Sequence, residues 1–249
     1  MSELQHAAPL PEPEFVARFH AIGAARYHHK HPFHTLMHDG KLTRGQLQAW
    51  ALNRFAYQRC IPVKDALILS RSEEPDFRRA WGKRILDHDG NGQQPGGIEK
   101  WLRLVEATGL PRELAIRGEG ILPATRYAAG AYVDFVRSHT LLEAVASSLT
   151  ELFSRTLITL RIDRLQQHYP WLASGLDYFQ ARITQAPEDA EFALAWVVAH
   201  ARTREEQELA LAALNAKCDI LWAMLDAVYF SYVVPGWPPP GAFQPAKET

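Results

Sequence analysis

Four side chains able to bind anions or move protons sit where a helix should bury carbon. With successive residues turning by about 100°, Leu47, Trp50, Ala51 and Ile61 share one apolar stripe, and Arg54 and Gln58 fall in its middle. The next helix repeats the arrangement, with Phe77, Ala80, Trp81 and Ile85 forming the apolar face and Arg84 and His88 at its centre. The segment AVASSLTELFS, Ala144 to Ser154, is apolar or small all round and carries one ionisable group, Glu151, which predicts a central helix with a buried carboxylate. Lys217 flanks a further stripe of Leu214, Cys218, Leu221, Leu225 and Val228, and its ammonium needs an anionic partner. A lone buried charge is costly unless paired. Taken singly, each of these groups is accounted for as a core polar residue satisfied by a neighbour. Taken together, Arg54, Arg84 and Lys217 bring more positive charge than Glu151 balances, so the expected counter-charge is a small ligand with several carboxylates, which guanidinium forks grip bidentately.

The run Tyr27-His28-His29-Lys30-His31-Pro32-Phe33-His34 is the densest cluster of titratable groups. A diiron-type bundle site needs Glu-x-x-His on one helical face, and the sole match is Glu3 to His6 near the N-terminus; no protein-bound metal is expected. His29, Lys30 and His38 are expected in solvent, with Tyr27 and His28 at a helix end facing the pocket. The loop Asp87-His88-Asp89-Gly90-Asn91-Gly92 follows a helix instead of a strand, which argues against a phosphate loop. His88, at a helix C-terminus beside two carboxylates, is expected to favour its protonated form and to suit proton transfer. Tyr178 and Arg182 are one turn apart on another helix, as a surface pair or as part of the site.

The elements that must position these groups are helices. Thr43-x-x-Gln46, Thr140-x-x-Glu143 and Thr203-x-x-Glu206 are capping-box patterns, and Pro62, Pro123 and Pro187 suit first-turn positions. Stops fall at Gly40, Gly90 and Gly109. The expected helices run over about 14–29, 43–60, 62–71, 75–88, 97–107, 123–138, 140–153, 154–166, 176–186, 188–201 and 204–231. No convincing strand remains, so the expected fold is all-α, a compact helical bundle and a single domain over 1–249 with Pro-rich ends, 1–12 and 235–249, loose or strapped over the surface.

Composition bounds the partners. The 249 residues are 47% hydrophobic, 10% aromatic and 22% charged, as in an ordinary globular protein. Lys+Arg 27 against Asp+Glu 28 leaves a net charge of -1, with no basic field to draw the chain to nucleic acid or acidic membranes. Asn215, Lys217, Asp219 and Asp226 interrupt the longest apolar stretch, Leu209 to Val234, which argues against a membrane span. Cys60 and Cys218 show no zinc or CxxC spacing, and the first residues lack a signal-peptide pattern. A cytoplasmic location is expected.

Longer words in the chain resemble the pyrroloquinoline-quinone synthase family: YHHKHPFH (27 to 34), ALNRFAYQRCIPVKDA (51 to 66), RILDHDG (84 to 90), GGIEKWLRL (96 to 104), SSLTELF (147 to 153), HYPW (168 to 171) and KCDILWAMLDA (217 to 227). The resemblance runs over nearly the whole chain. It implies a haem-oxygenase-like helical bundle, usually a homodimer, that closes the ring of a quinoline dicarboxylic precursor and oxidises it by eight electrons to the redox cofactor PQQ. O2 is the co-substrate, H2O2 is released and no metal or flavin takes part. Carried over by position, His88 matches the general base. Tyr27, His28, Arg54, Gln58, Lys64, Arg84, Tyr132 and Arg161 match residues that line the site or bind substrate, and Glu151 matches a carboxylate that holds substrate or neighbouring donors. Lys217 matches a pocket lysine that holds a carboxylate or an oxygen-derived anion, and Tyr178 and Arg182 match residues associated with oxygen and peroxide. One position departs: Ile158 stands where many relatives carry a histidine of the oxygen-binding group, and isoleucine neither donates a hydrogen bond nor moves a proton. Two other readings remain open. One is a thiaminase-like or haem-degrading enzyme of the same architecture; the other is a non-catalytic carrier of PQQ or its precursor.

Overall fold

The computed structural model describes residues 7–246, which form eleven α-helices joined by short turns. They are α1 (Glu12–Arg26), α2 (Pro32–His38), α3 (Arg44–Leu69), α4 (Pro75–Asp89), α5 (Gly97–Ala107), α6 (Arg112–Arg117), α7 (Pro123–Ser138), α8 (Leu141–Ala146), α9 (Ser154–His168), α10 (Asp177–His200) and α11 (Arg204–Tyr232). Three 3-10 segments, His28–Lys30, Ser147–Phe153 and Pro170–Gly175, link helices within the chain. Among the described residues there is no strand, only one isolated bridge between Gly120 and Ala242. The Glu3-to-His6 pattern lies outside the described residues.

All three capping boxes form. Thr43, Thr140 and Thr203 each accept from the backbone N–H three residues on, while Gln46, Glu143 and Glu206 reach back to the cap N–H, and these open α3, α8 and α11. Gly90, at φ 84°, ends α4 in a conformation that disfavours a side chain. Pro123 occupies the first position of α7.

The other two prolines do not start helices. Pro62 lies inside α3 and Pro187 inside α10, so the pairs expected at 43–60 with 62–71 and 176–186 with 188–201 are single helices of 26 and 24 residues. Each proline forfeits one backbone hydrogen bond. In α3 burial overrides that loss, since residues from Leu47 to Ile68 are packed on several faces. The segment expected as one helix over 140–153 is α8 followed by a 3-10 stretch, and the first helix stops at Arg26, where Tyr27 turns extended. The ends are strapped down as far as they are described. Leu10 exchanges two hydrogen bonds with the Gln207 side chain at 2.7 and 3.1 Å, and Phe243 N–H donates to Gly120 O at 2.9 Å.

Buried apolar side chains fall into two clusters. One gathers Phe19, Trp81, Tyr132, Leu149 and Leu214. The other gathers Phe33, Trp50, Trp101, Leu165 and Phe179. Helices α3 and α11 run through both: Tyr57 and Ile61 belong to the first, Trp50 and Phe55 to the second, and Leu221 and Leu225 divide in the same way. The candidate site opens at this seam.

Candidate active site

A cavity of about 110 Å3 lies between the clusters. Nine of the expected site residues line it: Tyr27, His28, Arg54, Gln58, His88, Glu151, Arg161, Tyr178 and Arg182. They come from the end of α1 and the turn after it, from α3, α4, α9 and α10, and from the 3-10 stretch. Its apolar lining includes Ile61, Trp101, Ile158, Phe179 and Leu221. Lys64, Arg84, Tyr132 and Lys217 stand one layer behind.

On one side the charges are matched. Glu151 receives Arg84 Nη2 at 2.8 Å and Arg182 Nη2 at 2.7 Å; Asp189 lies 3.5 Å from Arg84 Nη1 and 3.3 Å from Arg182 Nη1. Asp65 lies 2.6 Å from Lys64 Nζ and 3.4 Å from Arg84 Nε. Lys64, Arg84 and Arg182 thus meet Asp65, Glu151 and Asp189 one for one. Burial acts to raise the Glu151 carboxyl, yet Arg84, Arg182 and Lys64 hold it down at about 2. For Asp189 burial prevails and lifts it to about 6. This corrects the expectation that Arg84 lacks a protein counter-charge. Of the two settings open for Arg182, surface pair or site, its side chain takes the buried one, 7% exposed and lining the cavity.

His88 is buried, and burial followed by the charge of Arg182 pushes its imidazole down to about 4. The expectation of a protonated ring is therefore reversed: desolvation outweighs the helix terminus and the acidic loop. Its Nδ1 lies 3.0 Å from Arg84 O, to which it donates as Nδ1–H, leaving the Nε2 lone pair as the basic atom. Tyr178 donates to Gln58 Oε1 at 3.1 Å, and Gln58 Nε2 is buried without a partner. His88 and Tyr178 both approach Gly97, where a Cβ would stand 3.4 Å from His88 Cδ2 and 3.2 Å from Tyr178 Cε2.

On the other side the cations are unmatched. Among the described residues Arg54 makes no ion pair, and its guanidinium lies 4.1 Å over the Tyr57 ring. Arg161 meets the ring nitrogens of His34, at 3.3 and 3.4 Å, and lies 5.8 Å over the Phe179 ring, and its Nε is buried and unpartnered; burial pulls its guanidinium down to about 10. Lys217 was expected to find an anion. It instead lies 2.5 Å from Tyr57 Oη and 3.0 Å from the centre of the Tyr132 ring. Burial, with Lys64 and Arg54 nearby, lowers its pKa well below the ordinary value. Lys64 Nζ donates to Ser148 Oγ at 2.9 Å, and the Tyr132 hydroxyl is 3.4 Å from the same oxygen.

His29 is half-buried and His38, expected in solvent, is also half-buried and held at about 4 by burial and Arg161; Lys30 is exposed. Among the described residues no group of three or more His, Cys, Asp or Glu is arranged to hold a metal ion. No helix among them is long and apolar enough to cross a membrane. Sequence reasoning missed Tyr57, Asp65, Asp189 and the part played by His34. Arg54, Gln58, Ile61 and Asp65 fall at i, i+4, i+7 and i+11 of α3, and Tyr178, Arg182, Ala186 and Asp189 fall at i, i+4, i+8 and i+11 of α10, in each case along one face. Both carboxylates were thus signalled by periodicity.

A model of the TENA/THI-4/PQQC family matches residues 17–227. The chain is 54% identical over 243 residues to a pyrroloquinoline-quinone synthase of Xanthomonas campestris pv. campestris, covering 97% of each chain. It is 54% identical over 233 residues to a pyrroloquinoline-quinone synthase of Granulibacter bethesdensis, covering 93% of this chain and 91% of the other. Among solved structures, a domain of unknown function with a heme oxygenase-like fold from Shewanella denitrificans superposes with TM-score 0.71 at 15% identity, covering 94% of this chain and 96% of that one. A TenA homolog from Pseudomonas syringae pv. tomato superposes with TM-score 0.70 at 12% identity, covering 91% and 99%. These two likenesses establish the all-α, heme oxygenase-like fold.

Proposed function

The chain belongs to the TENA/THI-4/PQQC family, and within it we propose that the chain acts as a pyrroloquinoline-quinone synthase. In this reading it closes the ring of a quinoline dicarboxylic precursor and oxidises it by eight electrons with O2, releasing H2O2, with no resident metal or flavin. The observation that carries the reading is a neutral imidazole with a fixed tautomer, His88, sharing one cavity with two guanidiniums, Arg54 and Arg161, that pair with no carboxylate among the described residues.

Arg54 and Arg161 take the carboxylates of the precursor, with Tyr27, His28 and the free Gln58 Nε2–H available as further donors. This places the carbon skeleton against Trp101, Phe179 and Leu221 and within reach of His88. His88 Nε2 accepts a C–H proton, and the bound carboxylates raise its basicity above that of the empty site. The electron pair left on carbon spreads through the conjugated rings and passes to O2, which leaves as H2O2 after taking two protons. Tyr178 and Arg182, at the His88 end of the cavity, hold the reduced oxygen. Lys64, Arg84, Tyr132 and Lys217 act from behind, by setting the charge and position of Glu151, Arg182 and Tyr57.

The carrier reading is favoured by one observation, Ile158 in the cavity wall, which removes a proton-transferring side chain from beside the substrate. One experiment separates the two readings. The chain is incubated with the quinoline precursor first without and then with O2, while the quinone spectrum and O2 uptake are followed. Turnover with peroxide release is the expected result; tight stoichiometric binding without O2 uptake would establish the carrier.

A further inference from the structure

His34 has no part in the scheme above. It lies on α2, is 2% exposed, and does not line the cavity, yet it touches two residues that do. Its Nδ1 is 3.0 Å from the His28 carbonyl oxygen and 3.2 Å from His28 Nδ1, and Arg161 Nη2 lies 3.3 and 3.4 Å from its two ring nitrogens. Counting donors places the protons. A carbonyl only accepts and a guanidinium only donates, so the His34 nitrogen facing the carbonyl carries its hydrogen and Nε2 keeps a lone pair for Arg161. His28 Nδ1 faces the same N–H and is therefore an acceptor. The proton of a neutral His28 then sits on Nε2, the other nitrogen of a ring that lines the cavity.

We propose that His34 is a positioning residue with two outputs: it fixes His28 as an Nε2–H donor toward the ligand, and it holds Arg161 through an uncharged acceptor so that the guanidinium keeps its charge for an anionic substrate. Glu151 shows the contrast, since it takes up the charge of Arg84 and Arg182. Burial, with Arg161 and His28 adjacent, keeps the His34 ring neutral. The ligand half of this inference rests on the proposed synthase reading; the tautomer half does not.

The test uses the full chain labelled with 15N-histidine, as wild type, H34F and H34N, with long-range proton–nitrogen spectra and then titration with PQQ. In the wild type His28 is expected as the Nε2–H tautomer. H34F should lose that preference and bind PQQ roughly tenfold more weakly, the scale of one hydrogen bond to a charged group. H34N keeps an amide oxygen for Arg161 and an N–H for the His28 carbonyl, and should bind within about threefold of wild type. In an R161Q background H34F should cost less than it does in the wild type, only the His28 share of the loss remaining, whereas a purely structural role leaves the two losses additive. An Nδ1–H tautomer for His28 in the wild type, additive losses, or an H34F that folds and binds unchanged would each overturn the proposal. If the wild type fails to bind PQQ, the synthase reading falls, and the tautomer alone then decides for or against His34.

Discussion

On the α4 and α10 side of the cavity, Lys64, Arg84 and Arg182 face Asp65, Glu151 and Asp189, and each cation has a carboxylate within 3.5 Å. On the α1 and α9 side, Arg54 and Arg161 face an aromatic ring and an imidazole. Both sides lie on helices of the same bundle; Lys64, Arg84 and Arg182 are buried, Arg54 and Arg161 half-buried. The first is a structure that would hold its charges with or without a ligand. The second keeps cations that no carboxylate among the described residues neutralises, at a cost in desolvation that an anionic ligand would offset. Counting positive residues would miss this; the position of the acids decides which arginines are free to bind.

The sharpest test of that division is H88A. The imidazole takes no part in either charge set, so on the synthase reading turnover should fall about 10²- to 10⁴-fold while PQQ titration gives a nearly unchanged dissociation constant. Next comes R84M, which leaves Glu151, Asp65 and Asp189 only Lys64 and Arg182 as partners, one cation short; urea unfolding should report a loss of about 3–5 kcal/mol, as for one broken member of a buried pair. If R84M unfolds at the wild-type midpoint, the matched side is not the structural one.

Acid should reveal the same asymmetry. His28, His34, His38 and His88 all have pKa values lowered by burial, His38 and His88 to about 4. The unfolded chain therefore binds more protons than the folded chain below the ordinary histidine value of about 6.5. Stability is complete above that pH and falls as the pH drops toward 4, by about 1.4 kcal/mol per pH unit for each proton of difference. Asp189, raised to about 6, opposes the trend, since its folded form gains relative stability over the same window. His29 and His31 are lowered as well, and Asp87 and Asp89 raised, so six rings against three carboxyls predict a net loss; a melting temperature that rises from pH 6.5 to pH 5 would refute it.

R54A, on the unmatched side, should weaken PQQ binding by roughly tenfold to a hundredfold, with the urea midpoint held or slightly raised because no carboxylate is stranded. The smallest effect is expected from I158H. It should change the rate of an oxidation step by no more than about tenfold, within the reach of one added proton-transfer group, and only where oxygen chemistry limits turnover; stopped-flow mixing with O2 would measure it.

Helix chemistry made the fold legible. Three threonine caps and the glycine stops placed the ends of most long helices because their signals are local and hydrogen-bonded. The prolines misled. Reading Pro62 and Pro187 as helix starts cut two amphipathic stripes in half, and Asp65 and Asp189, the acids that match the inward arginines, lie just past those cuts. One error of local structure thus hid the charge balance of the site. The neutral state of His88 was out of reach for a different reason, since desolvation depends on how deep the packed bundle buries a ring and the sequence neighbours Asp87 and Asp89 pointed the opposite way. Lys217 is similar: its neighbours Tyr57 and Tyr132 come from α3 and α7, far away in the chain.

Gly97 sets the clearance between the base and the phenol. The bare α-carbon leaves His88 and Tyr178 in contact with one point of backbone, and even a methyl there would meet both rings, at 3.4 and 3.2 Å. Proton removal and oxygen capture are separable chemical events, and a ring that has lost some but not all of its electrons is a reactive, escapable species. On the synthase reading, the missing side chain at position 97 lets the groups assigned to those two events share one corner of the cavity.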